Sequence, residues 1–299
     1  VSWAQDTLRV PQDYPTIQAA IDAAAPGASV EVASGTYFEN LVVDKSVVLV
    51  SKSGAAVTTL DGGRIGRVIF ARGTGAESVE IVGFTIANGL ALASMDVPAA
   101  GSGSGIHLES LAAATLRDNV IRDNVGCVGV GVSARDATIA LVHNEIRHNL
   151  QDSSCAGEGG GIDVQSATAV IRDNDIRDNA ASSGGGIAFD LSDGIISDNL
   201  LIRNSAEVGG ALRLLAVEGK HVVVSDNTML DNRATVDATA VHLIPIPDDA
   251  LRMRGNAISG DGAVELIRCE TPFAVSRSNA LRNEAGPTVA GLCTFGLVF

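Results

Sequence analysis

Along residues 159–204, apolar and polar positions repeat in two near copies, GGGIDVQSATAVIRDNDIRDN and, after a short loop, GGGIAFDLSDGIISDNLLIRN. Each copy reads as a Gly-rich loop, a short alternating strand, a second strand ending at Asp-Asn, and a third strand ending at Asn. Such a unit cannot bury its apolar face alone, and stacked copies can, so the pattern predicts the coil of a solenoid. Extending the register places an Asn at Asn119, Asn144, Asn174, Asn199, Asn227, Asn256 and Asn279, with spacings of 25, 30, 25, 28, 29 and 23. Uneven spacing means that loops vary while strands stay constant.

Two positions after each Asn stands an apolar residue: Ile121, Ile146, Ile176, Leu201, Met229, Ile258 and Leu281. Three positions before it stand Leu116, Leu141, Ile171, Ile196, Val224 and Met253. The outer strand of each coil alternates with period two, so Ile106/Leu108, Val132/Ala134, Ile162/Val164, Ile187/Phe189, Leu212/Leu214, Val241/Leu243 and Val264/Leu266 are expected to point inward. The fold class expected is all-β, a single-stranded right-handed parallel β-helix of nine or ten coils. The Asn of each coil is expected at a left-handed bend, with its amide stacked on those of neighbouring rungs. The adjoining Asp118, Asp173, Asp198 and Asp226 then form an outward acidic ladder, either a solvated face or a track that calcium would bridge.

Near the start, Ile17, Ala20, Ile21 and Ala24 share one helical face, with Thr16 as N-cap and Pro26-Gly27 as the stop. A helix over residues 16–25 is expected to lid the first rung. Residues 1–12 are expected to hold the remnant of a secretory leader, from small Ser2 and Ala4, and a first strand; residues 13–299 form a single β-helix domain.

The stretch from Tyr14 through YPTIQAAIDAA, SGTYFENLVVDKSVVLV and TTLDG resembles the opening coil of the pectin lyase-like superfamily, which includes pectin methylesterases. Later segments, DNAASSGGGI and RNSAEVGGAL, are similar to repeats of polymorphic outer-membrane and adhesin-like β-helices. These resemblances imply an exported β-helix with either glycan chemistry or an adhesive surface role. Pectin methylesterase motifs are not reproduced: Gln151-Asp152 lies in a loop, and neither Asp-Phe-Ile-Phe-Gly nor Gly-Arg-Pro-Trp occurs. The signatures of polygalacturonases and mannuronan epimerases are missing too.

Composition narrows the partners. A net charge of −14 without a basic patch argues against nucleic acid and anionic membranes, and no apolar run is long enough to span a bilayer. Four cysteines fall into two pairs about one coil apart, Cys127 with Cys155 and Cys269 with Cys293, which reads as two disulfides in a secreted, periplasmic or cell-surface protein. A zinc site would want tighter spacing. A monomer without an obligatory cofactor is expected, with a polysaccharide or a cell-envelope component as partner.

Candidate chemistry sits on the outward positions of the outer strands. One column holds His107, Ser133, Asp163, Ala188, Arg213, His242 and Glu265; its neighbour holds Glu109, Arg135, Gln165, Asp190, Leu215, Ile244 and Ile267. His107, Asp163, Asp190, Arg213 and His242 are the candidate catalytic residues, and Glu109, Arg135, Gln165 and Glu265 the candidate binding residues. On rungs ~4.8 Å apart, an acid, a base and a cation meet on one face. A uronan lyase or epimerase needs a carboxylate neutraliser and a base for the C5 proton, and paired carboxyls suit glycoside hydrolysis. The competing expectation is an ordinary polar sheet surface in a non-catalytic exported scaffold. Exposed charges there contribute little stability, and neither column offers a Trp or Tyr for sugar stacking. Loops at 88–104 and 150–160 are expected to overhang this face.

Overall fold

The computed structural model describes residues 7–94, 101–244, 250–260, 264–284 and 286–296. Three ten-stranded parallel sheets run its length, and each coil contributes one strand to each. In one coil the chain passes through Ile106–Glu109 of the outer sheet, Ala113–Arg117 of the back sheet and Val120–Arg122 of the side sheet. A short strand, Val125–Gly126, then carries it toward the next outer strand, and with Leu90–Ala91 and Leu150–Gln151 it forms a small fourth ladder. The architecture is the expected all-β parallel solenoid of about ten turns.

Alternation works as read. Ile121, Ile146, Ile176, Leu201, Met229, Ile258 and Leu281 pair rung to rung along the side sheet. Leu116, Leu141, Ile171, Ile196, Val224 and Met253 do the same along the back sheet. With the inward residues of the outer sheet they fill one continuous core. Parallel stacking puts like residues over like, so one apolar column per strand position suffices to exclude water.

At the corner between back and side sheets the Asn column is a hydrogen-bonded ladder. Asn174 Oδ1 accepts from the backbone N–H of Asn144 at 2.9 Å and from its side-chain amide at 3.0 Å. Asn174 Nδ2 in turn donates to Leu141 O and to Asn199 Oδ1, both at 2.9 Å. A second ladder, Asn124, Asn149, Asn179, Asn204 and Asn232, runs along the next corner by the same scheme. One expectation is corrected here: in six of the seven coils the left-handed residue is the one before the Asn. Asp118, Asp173 and Asp226 have φ of 58°, Asp198 56°, and His143 55°. Asp tolerates that region nearly as Asn does, and the bend it makes turns the following amide into line with the axis. The Asp carboxylates then lie outside, where Arg117 pairs with Asp118 and Arg172 with Asp173.

The helix spans Ile17–Ala23, with the Thr16 side chain accepting from Ala19 N at 3.1 Å. The Glu39 carboxylate caps it further, accepting from Ile17 N and Gln18 N at 2.9 Å each. Ile17, Ala20 and Ile21 are buried, and the helix packs on the first back-sheet strands, so the open end of the lumen is lidded as expected. The first strand, Thr7–Val10, pairs with Ala28–Val32. Ser2 and Ala4, the basis for a leader, lie outside the described residues. Both disulfides form, Cys127–Cys155 and Cys269–Cys293, each stapling adjacent rungs. No helix among the described residues is long and apolar enough to cross a membrane.

Candidate functional site

Strand register fixes the outer-sheet columns. His107, Ser133, Asp163, Ala188, Arg213 and His242 are successive partners, as are Glu109, Arg135, Gln165, Asp190, Leu215 and Ile244. The next rung departs from expectation: Val241, His242 and Leu243 pair with Ile267, Arg268 and Cys269. Arg268 therefore takes the column place assigned to Glu265, and Ile267 points into the core. Both readings alternate apolar with polar residues; the structure selects the one that turns Cys269 inward toward Cys293. Glu265 keeps a local role, accepting from Arg268 Nη1 at 3.1 Å. Toward the N-terminus the first column continues to Phe70 and Val42, and the second to Arg72.

The columns are also far less exposed than an open sheet face. Asp163 and Asp190 are each 4% exposed, and His107, Ser133, His242 and Glu265 are buried as well. The cause is the Gly-rich turn before each strand, which folds back over its own outward side chain. Gly159 has φ +67°, and a Cβ there would stand 2.8 Å from the Cβ of Asp163. The expectation that these charges contribute almost nothing to stability is corrected accordingly, since burial makes partners necessary.

Those partners converge on Arg213. Its Nη1 donates to Asp190 Oδ2 and, at 2.9 Å, to Glu158 Oε2. Glu158 was not singled out in the sequence. It lies just before the GGG turn, in the segment stapled by Cys155, and that turn swings it over Arg213. The Glu158 and Asp190 carboxyls are thereby crowded onto one guanidinium nitrogen. Burial first, then Asp190, pushes the Glu158 carboxyl up to about 7 against the pull of Arg213. Asp163, one rung away, is pushed well above the carboxylate range, by burial first and then by Asp190 and Glu158, with Arg135 and Arg213 opposing.

The remaining candidates do not join this cluster. His242 Nε2 faces Glu270 Oε1 at 3.1 Å, and Glu270 also accepts from Arg268. His107 packs against Phe70, with ring centroids 5.5 Å apart, and neither ring nitrogen has a hydrogen-bond partner. Burial, then Arg67 and Arg135, lowers its pKa to about 3, so it is neutral. Gln165 and Glu109 stay on the second column, and Arg135 makes no ion pair with either Glu109 or Asp163.

The loops flank the outer sheet rather than cover it. Gln151 Nε2 donates to Ser182 Oγ at 3.0 Å, and residues 151–155 wall an open cleft of about 520 Å³ floored by Ala180, Ala181, Ser205 and Ala206. From this loop Glu158 reaches the column. Met95 to Ala100, within the other loop, lie outside the described residues. Among the described residues no cluster of three or more His, Cys, Asp or Glu is arranged to hold a metal ion.

Chemically, two carboxyls on one guanidinium nitrogen leave no room between them for a sugar carbon or a water. Glycoside hydrolysis places its carboxyls ~5–9.5 Å apart. Arg213, the natural neutraliser of a uronate, already holds two carboxyls.

Comparison with known proteins agrees with this architecture. Residues 104–266 match the family described as the right handed beta helix region. No curated protein matches the sequence. Among solved structures, the alginate lyase from Paenibacillus sp. str. FPU-7 superposes with a TM-score of 0.63 at 13% identity, covering 96% of this chain and 99% of that one. The Family 28 exopolygalacturonase of Yersinia enterocolitica gives 0.32 at 10% identity, over 98% and 77% of the two chains. The pectin methylesterase from Aspergillus niger gives 0.28 at 11%, over 98% and 91%. At these identities the likeness is one of fold. With a family match over more than half its length and a three-sheet parallel coil along its described residues, the chain belongs to the right-handed β-helix family.

Proposed function

We propose that the chain is an exported, non-catalytic scaffold, one β-helix domain whose outer face meets a glycan or a cell-envelope component. One observation carries this reading: Arg213 is neutralised by Glu158 and Asp190 on a single nitrogen. The cation of the cluster is thus taken up by its own carboxyls and presents no open pair of acid and base. Two disulfides among the described residues support export, because such bonds persist in oxidising compartments. The test is a panel of uronans and neutral polysaccharides, read at 235 nm for unsaturated products and by reducing ends for hydrolysis. No turnover is expected, with or without calcium, and product from any member overturns the reading.

A second reading is an enzyme on an acidic polysaccharide, the substrate class of the alginate lyase that shares the fold. It is favoured by Glu158, a carboxyl that holds its proton to about 7 while its side chain is 37% exposed, which suits proton transfer at neutral pH. Here Glu158 would serve as acid, with Asp190 and Arg213 positioning it. Turnover abolished by Glu158→Gln, with an unchanged circular dichroism spectrum, would establish it.

A further inference from the structure

The back sheet turns an apolar stripe to solvent. Thr115, Ala140, Val170, Ile195 and Val223 are successive register partners on its outward face. All reach solvent, Ile195 at 43% exposure, and none is charged. Their neighbours along the strands are short, with Thr138 and Thr168 on one flank and Ser197 and Ser225 on the other. Beside the Ala140 and Val170 rungs, the side sheet turns a charged network outward, Glu145 and Asp175 with Arg147 and Arg177. Exposed sheets ordinarily carry such charge, and a contiguous apolar strip in its place marks an interaction surface. Within the column, charge returns at the two ends of the stripe: Glu80 precedes Thr115, and Arg252 follows Val223. Glu80 accepts from Arg117 through Oε1, which leaves Oε2 for a second cation. Arg252 is exposed and among the described residues has no ion-pair partner.

We propose that this face pairs two copies of the chain, back sheet on back sheet with their solenoid axes antiparallel, in place of the monomer expected from the sequence. A two-fold axis along the strand at Val170 sets each rung over the rung equally far on the other side. Val170 then meets Val170 of the second copy, Ile195 meets Ala140, Val223 meets Thr115, and Arg252 meets Glu80. Bulk lies over a small residue and cation over anion, the self-complementarity that a two-fold contact requires. With the axes parallel, the same face would set Ile195 on Ile195, Glu80 on Glu80 and Arg252 on Arg252. Arg172, on the rung of the two-fold, is already paired with Asp173 of its own chain. From Glu80 to Arg252 the rungs span ~29 Å, and each strand ~16 Å, so on the order of 500 Å² per copy is covered. A total of about 1,000 Å² is at the small end of specific interfaces, and a dimer dissociating at roughly micromolar concentration is expected. The outer sheets take no part in the contact.

Sedimentation equilibrium of the folded protein from about 1 to about 100 μM reads the assembly, and a concentration-dependent dimer is expected. Ile195→Lys should weaken it about tenfold or more, because the new charge is pressed against the second copy's Ala140. Val170→Lys, which brings two like charges together on the two-fold, should do at least as much. Leu200→Lys makes the same kind of change on the side sheet and should alter the dissociation constant less than about twofold, with circular dichroism showing that each variant folds. Orientation is read by cross-linking. Both cysteine pairs are disulfide-bonded and no free cysteine is present among the described residues, so an introduced cysteine is the target of a short bismaleimide. Facing sheets lie ~10 Å apart, within reach of such a linker. Val170→Cys should cross-link with itself, whereas Ile195→Cys should do so only when mixed with Ala140→Cys. A monomer at about 100 μM overturns the dimer, and so does equal weakening by the lysine variants of the two sheets. Efficient cross-linking of Ile195→Cys with itself overturns the antiparallel arrangement.

Discussion

Replacing Asn174 by alanine cuts the longer amide ladder near its middle. Five partner groups are affected, but not equally. Asn144 Nδ2 keeps Leu116 O at 2.8 Å, and Asn199 Oδ1 keeps the backbone N–H of residue 174 at 3.0 Å. One buried backbone group loses its partner outright, the Asn144 N–H that donates to Asn174 Oδ1, while Leu141 C=O and Arg172 C=O lose the amide donor Nδ2. An orphaned buried group costs about 1–3 kcal/mol, so Asn174→Ala should lose about 1–3 kcal/mol. Urea denaturation followed by far-ultraviolet circular dichroism gives the shift in midpoint. Asn279→Ala is the internal control, since that residue ends the ladder at 8% exposure, where water can replace the lost groups, and less than half the effect is expected. Asn174→Asp should be worse than alanine at neutral pH, because a carboxylate oxygen would then face the three oxygens of Leu141, Arg172 and Asn199 that Nδ2 now serves. A loss under about 0.5 kcal/mol for Asn174→Ala, within the range of ordinary surface changes, would refute the ladder as a source of stability.

Four further outcomes follow from the structure. Arg213→Ala leaves Glu158 and Asp190 without their shared cation and should lower stability by about 3–5 kcal/mol, measured by denaturation at pH 7.5. Glu158 keeps its proton to about 7 when folded and to the ordinary 4.5 when unfolded, so its contribution is complete below the unfolded value and fades as pH rises through about 7. Glu158→Gln should flatten that part of the stability profile, and an unaltered slope between pH 5 and 8 would count against a Glu158 carboxyl that holds its proton to about 7. Gly159→Ala should cost clearly more than Gly219→Ala in thermal melts, because both have positive φ but only Gly159 would drive its Cβ to 2.3 Å from Ile162 O. Cys127→Ser with Cys155→Ser opens a link between residues 28 apart and should lower stability by about 2–4 kcal/mol, read as the urea midpoint against wild type under non-reducing conditions.

What the sequence disclosed was whatever repeats. Ile176 and Ile171 lie in columns because a parallel coil sets each residue over its counterpart, so period and register are the same information. The cysteine pairs were legible for that reason, one coil apart being one rung apart. Local competition was harder to read. In Val264-Glu265-Leu266-Ile267-Arg268-Cys269 either of two frames alternates, and a disulfide to Cys293 favours the one that alternation could not distinguish. The bend at Asp173 rather than Asn174 was hidden because both residue types accept positive φ. Burial of Asp163 and the arrival of Glu158 depend on how the GGG turn folds back, a three-dimensional fact with no periodic trace.

The amide ladder has two ends, and the backbone closes both. At one end Phe84 stands where an Asn would be, and its N–H donates to Asn119 Oδ1 at 3.0 Å. At the other, Ser276 O receives the N–H of Asn279 at 3.1 Å and its side-chain amide at 2.9 Å. A stack of identical polar side chains is the chemistry by which fibrils recruit fresh strands. In this chain that seam offers no vacancy to an incoming molecule, so the feature that holds successive coils together is also finite, and growth along it stops where the protein does.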